Sequence, residues 1–243
     1  MVPPNKKLYV AKSDLADFFY RFRVPVWMQP YFALPGLTAE ELDLVSTFGS
    51  GAIVYPCLSV LAMGWSHSVY LAQTAHEHLL NTRTRLQPCD RITHSSDLLV
   101  NRTRHLVYID DLIMFGTDPE EMSAVQAHYV AVTAALNLPA KPSKVIPPSA
   151  DGVDCLGVEL TGSDQVLAPR ADKLERLRQD TIALLRRGSC SGRDLAALVG
   201  RWTWIMLVTR PGLACFAAVY RFMQCAGRRV FRLWGTVALS STS

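Results

Sequence analysis

The segment HLVYIDDLIMFG, residues 105–116, most constrains the fold of this chain, because it holds two adjacent carboxylates, Asp110 and Asp111, inside an apolar run. Leu106–Ile109 and Leu112–Phe115 have strand-like composition, and a two-residue gap is typical of a β-hairpin. We therefore predict a hairpin with both aspartates at its tip. Since like charges repel, a bound cation would offset their proximity. A solvent-exposed turn is the alternative, and the apolar strands on both sides make it less favourable.

A second acidic motif, SDLADFFYRFRVP, places Asp14 at the end of a predicted strand, Leu8–Leu15, with Asp17 three residues later. Two-metal chemistry on phosphates needs carboxylates from different strands that converge on ions roughly 3.5 to 4 Å apart. If this strand pairs beside the hairpin, Asp14, Asp110 and Asp111 form a hard oxygen cluster suited to Mg²⁺. Asp14 as a helix cap is the alternative, and periodicity alone does not separate the two.

Composition limits the classes of protein to which this chain can belong. The chain has 243 residues, of which 49% are hydrophobic and 19% charged, so it can bury a substantial core. The N-terminal stretch MVPPNKKLYV has no signal-peptide-like apolar segment, and no apolar run approaches the roughly 18 residues needed to cross a bilayer. We expect a soluble, intracellular protein without membrane contact. The six cysteines lack zinc-ligand spacing and predict free thiols rather than a disulfide framework.

Charge divides the chain sharply. Residues 1–168 hold 12 Lys and Arg against 17 Asp and Glu, a net charge of −5, whereas residues 169–243 hold 13 against 4, a net charge of +9. A basic C-terminal part on a mildly acidic body suggests a nucleic-acid backbone as partner, and a solvated basic face is the alternative.

Helices are predicted between the two acidic motifs and after the second one. Thr38 and Glu41 form a capping box for a short helix in TAEELDLV, a helix spans Ser66–Asn81, and another begins at Pro119 behind the N-cap Asp118. The polar composition of residues 82–103 predicts a loop. The apolar positions at helical spacing are Val69, Ala72, Leu79 and Leu80 on the second helix, and Met122, Val125, Tyr129, Val132 and Leu136 on the third.

The C-terminal third predicts a hairpin followed by helices. VDCLGVEL and GSDQVLAP pair through a turn at 162–164, and Pro169 opens the basic part. An amphipathic helix, ADKLERLRQDTIALLRRG, ends at Gly188, and Ser191 caps a second helix that runs through Trp204. A third helix follows Pro211 and carries Phe216, Tyr220 and Phe222. The fold class is therefore α+β, with an acidic α+β body before a helical, Arg-rich unit.

Five segments occur in the order of the successive motifs of the reverse transcriptase palm: SDLADFFY, LAMGWSHSVYLAQ, YIDD, PSKVIPP and CLGVEL. Further on, LVGRWTWIMLVTRPGLACFAAVYRF is similar to the thumb helices of retroelement polymerases. The chain thus resembles the reverse transcriptase family over nearly its whole length. The resemblance implies a palm, an antiparallel sheet with helices on one face, over residues 1–168. It includes a primer-grip-like hairpin at about 153–168, followed by an all-α basic thumb over 169–232 and a tail over 233–243.

The same resemblance assigns the chemistry. Asp14, Asp110 and Asp111 match the catalytic, metal-binding carboxylates, with Leu15 beside them, and two Mg²⁺ ions are implied, with Mn²⁺ as an alternative. Lys144 in PSK matches the lysine that protonates the leaving pyrophosphate, and Lys141 is the alternative.

Nucleotide and template contacts are implied in the same way. Phe19 matches the steric gate against a 2′-hydroxyl, which implies deoxynucleotide use, and a plain core role is the alternative. Many relatives carry glutamine in place of Met63, which leaves hydrogen bonding to the nucleotide open. Trp202 and Trp204 face different sides of a helix, so at least one should pack internally. The implied nucleotide-binding residues are Leu15, Phe19, Met63 and Gly64, and the implied template-primer-binding residues are Trp65, Tyr108, Leu156, Gly157, Gly200, Arg201 and Trp204.

The resemblance implies an RNA-directed DNA polymerase of a retroelement, with an RNA or DNA template, a primer and dNTPs as partners. Reverse transcriptases place a fingers region before the first palm aspartate, and only 13 residues precede Asp14 here. We therefore expect a polyprotein fragment or a decayed copy. The alternative function is a catalytically weak or inactive nucleic-acid-binding remnant.

Overall fold

The computed structural model describes residues 6–93, 102–163, 166–233 and 235. The chain separates into two compact units, Met1–Asp151 (unit 1) and Gly152–Ser243 (unit 2). Among the described residues, the helices are too short or too polar to cross a bilayer. The predicted tail at 233–243 lies outside the described residues except for 233 and 235.

Unit 1 is built around a four-stranded antiparallel sheet. The strands of unit 1 are β1 (Tyr9–Asp14), β2 (Leu37–Thr38), β3 (Ile53–Val54), β4 (Arg104–Tyr108), β5 (Asp111–Gly116) and β6 (Ile146–Ser149). The helices of unit 1 are α1 (Val45–Phe48), α2 (Ser66–Arg83) and α3 (Pro119–Ala135). The order in the main sheet is β4-β5-β1-β6, so β5 and β1 are the inner strands, while β2 and β3 pair separately.

Strand alternation places the core of unit 1. Ala11 from β1 and Leu15 directly after it, with Leu112 and Met114 from β5, are fully buried in one cluster with side chains of α2 and α3. Successive strand residues point to opposite faces, so the intervening residues Lys12, Asp14, Asp111 and Ile113 belong to the other face. The predicted α+β character, with an antiparallel sheet and helices, is confirmed.

Three local predictions in unit 1 need correction. The Thr38–Glu41 hydrogen bonds form, but they close a turn after β2, and α1 begins only at Val45. Val69 is 48% exposed, because the buried stripe of α2 contains Ser68, Ala72 and His76 instead. The predicted loop at 82–103 begins later, since α2 continues to Arg83, and its residues 94–101 lie outside the described part.

The helix predicted behind Asp118 is confirmed. It is α3, and the Asp118 carboxylate accepts hydrogen bonds from the backbone N–H groups of Glu120 and Glu121 at 3.0 and 3.1 Å. Pro119 at the first helical position has no N–H that would need such a partner. Met122, Val125 and Tyr129 are buried, whereas Leu136 lies beyond the helix and is exposed.

Unit 2 combines small strands with helices. Its strands are β7 (Val153–Cys155), β8 (Val158–Thr161), β9 (Val166–Pro169), β10 (Ser189–Ser191) and β11 (Val230–Arg232), and its helices are α4 (Ala171–Arg187), α5 (Gly192–Met206) and α6 (Ala217–Ala226). β8 pairs with both β7 and β9, and β10 pairs with β11. The helices pack through Leu177, Leu195, Leu198, Phe216 and Phe222.

The helix ends of unit 2 follow the sequence signals. Gly188 ends α4 in the left-handed conformation at φ 68°, which glycine adopts without strain. Ser191 and Asp194 form the predicted capping box of α5. The predicted turn at 162–164 falls partly outside the described residues.

Two features of unit 2 differ from the predicted division. The compact units divide at Asp151/Gly152 rather than at 168/169, and β7, β8 and β9 form a three-stranded sheet within unit 2. The segment 169–232 is also not all-α, since the three-residue strands β10 and β11 pair within it. Three residues carry too little periodicity to be recognised in a sequence.

Candidate active site

Two of the three predicted carboxylates lie opposite each other where β1 and β5 pair, and the third lies in the adjoining turn. Asp14 and Asp111 are directly opposite each other in the antiparallel register, and both are buried, at 3% and 9% exposure. Asp110 lies in the turn before β5, and its carbonyl accepts a hydrogen bond from the Leu15 backbone N–H at 3.0 Å. The predicted pairing of the first strand beside the hairpin is thus observed. The Leu15 side chain itself is fully buried on the helical face of the sheet.

The hairpin turn differs by one residue from the prediction. Tyr108 pairs with Asp111, so the two turn residues are Ile109 and Asp110, and Asp111 is the first residue of β5. Ile109 has a positive φ of 57°, which is strained for a β-branched residue and persists only where the surroundings hold it. The sequence showed the apolar runs but not this backbone conformation, which is fixed by contacts with a distant helix.

Gln73 and His76 on α2 supply those contacts. The Ile109 N–H donates to Gln73 Oε1 at 2.7 Å, and the Ile109 carbonyl lies 2.8 Å from His76 Nδ1. Because a carbonyl oxygen only accepts, Nδ1 carries the proton, and Nε2 accepts from the Tyr129 hydroxyl at 2.9 Å. The turn is therefore anchored through α2 to α3.

The anchoring groups are neutral. Burial lowers the pKa of His76 to about 4, despite the opposing effects of the Ile109 carbonyl and Glu77. Burial also raises the pKa of Tyr129, and the nearby aspartates raise it further. Sequence reasoning missed Gln73 and His76 as functional residues and treated Tyr129 only as core.

Lysine side chains surround the carboxylates. Lys144 Nζ donates to Asp14 Oδ2 at 2.6 Å, Lys141 Nζ lies 3.2 Å from Asp14 Oδ1, and Lys12 Nζ lies 3.1 Å from Asp111 Oδ1. The 3-10 helix Pro142–Lys144 is held at the end of β1, where the Lys141 N–H donates to the Asp14 carbonyl at 2.8 Å. Lys144 of the PSK motif and its alternative, Lys141, thus both reach Asp14.

The charges of this cluster shift its pKa values in opposite directions. Burial raises the pKa of Asp14, but hydrogen bonds from Lys144 and Lys141 outweigh it and leave the pKa below its ordinary value. Burial raises the pKa of Asp110, and the charges of Asp14 and Asp111 add to the increase. The hydrogen bond to Asp14 raises the pKa of Lys144, so this ammonium is protonated near neutral pH.

The carboxylates have the donor chemistry of a magnesium site. Asp14 Oδ1 and Asp111 Oδ1 are buried, and each lies close to one lysine ammonium group, that of Lys141 for Asp14 and that of Lys12 for Asp111. Hard, anionic oxygens with unused lone pairs fit Mg²⁺ or Mn²⁺ better than softer metals. Within the described ranges, however, no group of three His, Cys, Asp or Glu side chains is arranged to hold an ion. The cations at Asp14 and Asp111 are lysines.

The predicted nucleotide-binding residues come from two adjoining segments. Phe19 lies in a 3-10 helix, Phe18–Arg21, and packs partly buried against the core of unit 1. The backbone of Phe22 and Val24 is hydrogen-bonded to residues 59–61, and the Tyr20 hydroxyl donates to Met63 Sδ at 3.2 Å. Met63 itself is 64% exposed.

Gly64 and Trp65 form the loop before α2. Gly64 has φ 95°, a conformation that side chains rarely adopt, and a Cβ there would have no heavy atom within 4 Å. Trp65 contacts the rings of Phe32 and His67 edge to face at centroid distances of 5.3 and 5.2 Å. Tyr108 is exposed at the end of β4.

Four of the five predicted template-primer residues of unit 2 line one cavity of about 480 Å³, and Leu156 does not. Leu156 and Gly157 form the tight turn between β7 and β8, both with positive φ. A Cβ on Gly157 would lie 3.1 Å from Trp204 Nε1, so glycine permits this close approach. The cavity lining includes Gly157, Arg170, Lys173, Arg176, Gly200, Arg201 and Trp204.

The two tryptophans of α5 have different environments. Trp202 Nε1 donates to Thr181 Oγ1 at 2.9 Å, and its ring packs against the core of unit 2. Trp204 is half-exposed in the cavity wall. The expectation that at least one packs internally is confirmed. Arg201 is exposed and pairs with Asp180 at 2.5 Å.

Comparison with known proteins gives a likeness of fold. No protein-family model matches the chain, and no curated protein matches it. A solved structure of the foamy viral protease-reverse transcriptase dRH in complex with ds DNA matches with a TM-score of 0.62 and 11% sequence identity, over 98% of this chain. Another, of the foamy viral protease-reverse transcriptase in complex with RNA/DNA hybrid, matches with a TM-score of 0.60 and 12% identity, over 96% of this chain. The chain spans only 34% and 27% of those two chains.

Proposed function

We propose that this chain carries the polymerase centre of a reverse transcriptase, and that it adds deoxynucleotides to a primer 3′ end on an RNA or DNA template. The observation that carries the proposal is the register of two inner strands, which sets Asp14 opposite Asp111 with Asp110 in the adjoining turn. The fold likeness to foamy viral reverse transcriptases, solved with ds DNA and with RNA/DNA hybrid, supports it.

The residues that would hold two Mg²⁺ ions are Asp14, Asp110, Asp111 and Leu15. Such ions supply charge stabilisation for the attacking and leaving oxygens of an in-line phosphoryl transfer. Buried carboxylates on neighbouring strands are held in fixed positions, so little reorganisation is needed during the reaction.

Lys144 is proposed as the proton donor to the leaving pyrophosphate. Its contact with Asp14 raises the pKa of the ammonium, which keeps the proton available at neutral pH. Phe19 is proposed to exclude the 2′-hydroxyl of a ribonucleotide, with Met63 and Gly64 against the incoming nucleotide. Unit 2 is proposed to hold the template-primer through the cavity lined by Arg201 and Trp204, beside the turn at Leu156 and Gly157.

Primer extension tests the proposal. The wild type should extend a DNA primer on an annealed RNA template with dNTPs and Mg²⁺, and the double variant Asp110→Asn, Asp111→Asn should lose at least roughly 10³-fold of that rate. Asp43→Asn is the matched control, because Asp43 is exposed and has a positive φ that asparagine tolerates. Equal rates for wild type and the double variant would contradict the assignment.

A second candidate is a nucleic-acid-binding remnant without efficient polymerisation. It is favoured by the lysine pairing of Asp14 and Asp111, because these ammonium groups already neutralise carboxylates that the reaction would need. Its signature is salt-dependent binding of a primer-template duplex without nucleotide addition by the wild type over a range of Mg²⁺ and Mn²⁺ concentrations.

A further inference from the structure

Lys12 is a lysine on an inner strand of the main sheet. β1 lies between β5 and β6, and Lys12 pairs in register with Ile113 on one side and Ile146 on the other. It stands two residues before Asp14, so strand alternation places both side chains on the same face of the sheet. An ammonium among such neighbours is unfavourable unless a counter-charge compensates it.

Asp111 provides that counter-charge. Lys12 Nζ lies 3.1 Å from Asp111 Oδ1, and each side chain is only 13% exposed. Asp111 Oδ1 accepts no hydrogen bond of good geometry, so its interaction with Lys12 is mainly one of charge. Displacement of the ammonium would therefore break no hydrogen bond of good geometry, so Asp111 Oδ1 can exchange Lys12 for another cation.

Lys12 differs from the other two lysines of the cluster. Lys141 and Lys144 come from the segment after α3, and their side chains are 37% and 51% exposed. They can swing into solvent with little rearrangement. Lys12 is fixed in the sheet by the backbone pairing of its own strand and by the Gln126 side chain, which donates to the Lys12 carbonyl at 2.9 Å.

We propose that Lys12 is the resident counter-ion of Asp111, and that a divalent cation must displace its ammonium from this carboxylate in order to bind. Lys12 thereby lowers the affinity of the carboxylate cluster for Mg²⁺ or Mn²⁺ and sets the cation concentration that the site needs. The inference rests on the proposed function, since it takes the cation to be the one that the polymerase centre uses. A lysine and a divalent ion at one carboxylate oxygen repel each other, which makes the two occupants competitors.

Measurement of Mn²⁺ binding to the protein tests the proposed role of Lys12. The loss of free Mn²⁺ signal in electron paramagnetic resonance gives the dissociation constant, without nucleotide or primer. Lys12→Met keeps the length of the side chain and removes its charge, and it should bind Mn²⁺ about tenfold more tightly than wild type. Lys12→Arg keeps the charge and should bind like wild type. Lys7→Met, at an exposed position near the start of β1, is the control for lost net charge and should also bind like wild type.

A second measurement uses the wild type and does not depend on the folding of a variant. Amine labelling followed by mass spectrometry compares the reactivity of Lys12 and Lys7 with and without saturating Mg²⁺. Displacement from Asp111 should raise the labelling rate of Lys12 at least about threefold while that of Lys7 stays constant. An unchanged Lys12 rate, with Mg²⁺ bound, would overturn the proposal.

The outcomes separate this proposal from the proposed function. If wild type binds Mn²⁺, Asp111→Asn does not, and Lys12→Met binds within twofold of wild type, only the role of Lys12 is wrong. If neither wild type nor Lys12→Met binds Mn²⁺ at millimolar concentration, the metal-dependent function fails and this inference fails with it. Tighter binding by both Lys12→Met and Lys7→Met would show a general charge effect and would also overturn the role of Lys12.

Discussion

In unit 1, the side chains of Lys12, Asp14 and Asp111 lie in a largely buried cluster at the end of the sheet, whereas in unit 2 arginine, lysine and tryptophan side chains line a cavity between a hairpin and two helices. The first arrangement fixes its groups, since each charge depends on a nearby partner. The second leaves side chains adjustable and screened by water. A site where covalent bonds change needs side chains in fixed positions. A site that only holds a phosphate backbone can use charged side chains that adjust their positions.

The largest effect on stability that we expect distinguishes the two tryptophans of α5. Trp202 is packed and Trp204 is half-exposed, so one helix carries both a fixed and an adjustable side chain. Trp202→Ala should lower the free energy of unfolding by about 3 kcal/mol, because it removes a packed ring and leaves the Thr181 hydroxyl without its donor. Trp204→Ala should cost less than about 1 kcal/mol, since its ring is half-exposed. Urea unfolding followed by far-ultraviolet circular dichroism measures both.

Duplex binding completes the test of this pair. Trp204→Ala should weaken binding of a primer-template duplex, measured by fluorescence anisotropy, while Trp202→Phe should bind nearly like wild type. The contrast fails if the two alanine variants lose equal stability, or if Trp204→Ala binds the duplex unchanged.

Particular residues show how far the sequence could predict this arrangement. Apolar runs of strand-like composition and the Asp118-Pro119 signal were enough for the hairpin strands and α3, because those patterns depend on local structure. The turn at Ile109 was misplaced by one residue, since its positive φ is held by Gln73 and His76, 36 and 33 residues away. The contact between Lys12 and Asp111 was equally hidden, because a lysine two residues before an aspartate acquires such a partner only through strand pairing.

A smaller effect concerns acidification, which should act on unit 1. The folded pKa of His76 is about 4, below its ordinary value of 6.5, so the histidine is neutral when folded and takes up a proton on unfolding. Its contribution to stability is complete above pH 6.5 and is lost as the pH falls toward 4. Between pH 7 and pH 5, the protonation of His76 should lower the free energy of unfolding by about 2 kcal/mol. Burial also lowers the pKa of His105 to about 4, so His105 acts in the same direction.

His76→Gln tests that assignment, because glutamine does not titrate. We expect the decrease in unfolding free energy between pH 7 and pH 5, measured by urea titration at each pH, to fall to roughly half that of wild type. His128→Gln, on the partly exposed surface of α3, should retain the wild-type decrease. A wild-type pH dependence in His76→Gln would mean that other groups control the acid response of unit 1.

The smallest effect we expect is at Arg201 in the cavity of unit 2. Its ion pair with Asp180 is exposed on both sides, so Arg201→Ala should change stability by less than about 1 kcal/mol. If Arg201 contacts one phosphate, the slope of log affinity against log salt for a duplex should become shallower by about 0.9. Arg178→Ala removes the same charge from an exposed position on α4 outside the cavity lining, and its slope should stay closer to wild type. Equal slopes for the two variants would mean that the net charge of residues 169–243, rather than the cavity, holds the nucleic acid. In that case the exact placement of a charge would matter in unit 1 but not in unit 2, where only the total charge would count.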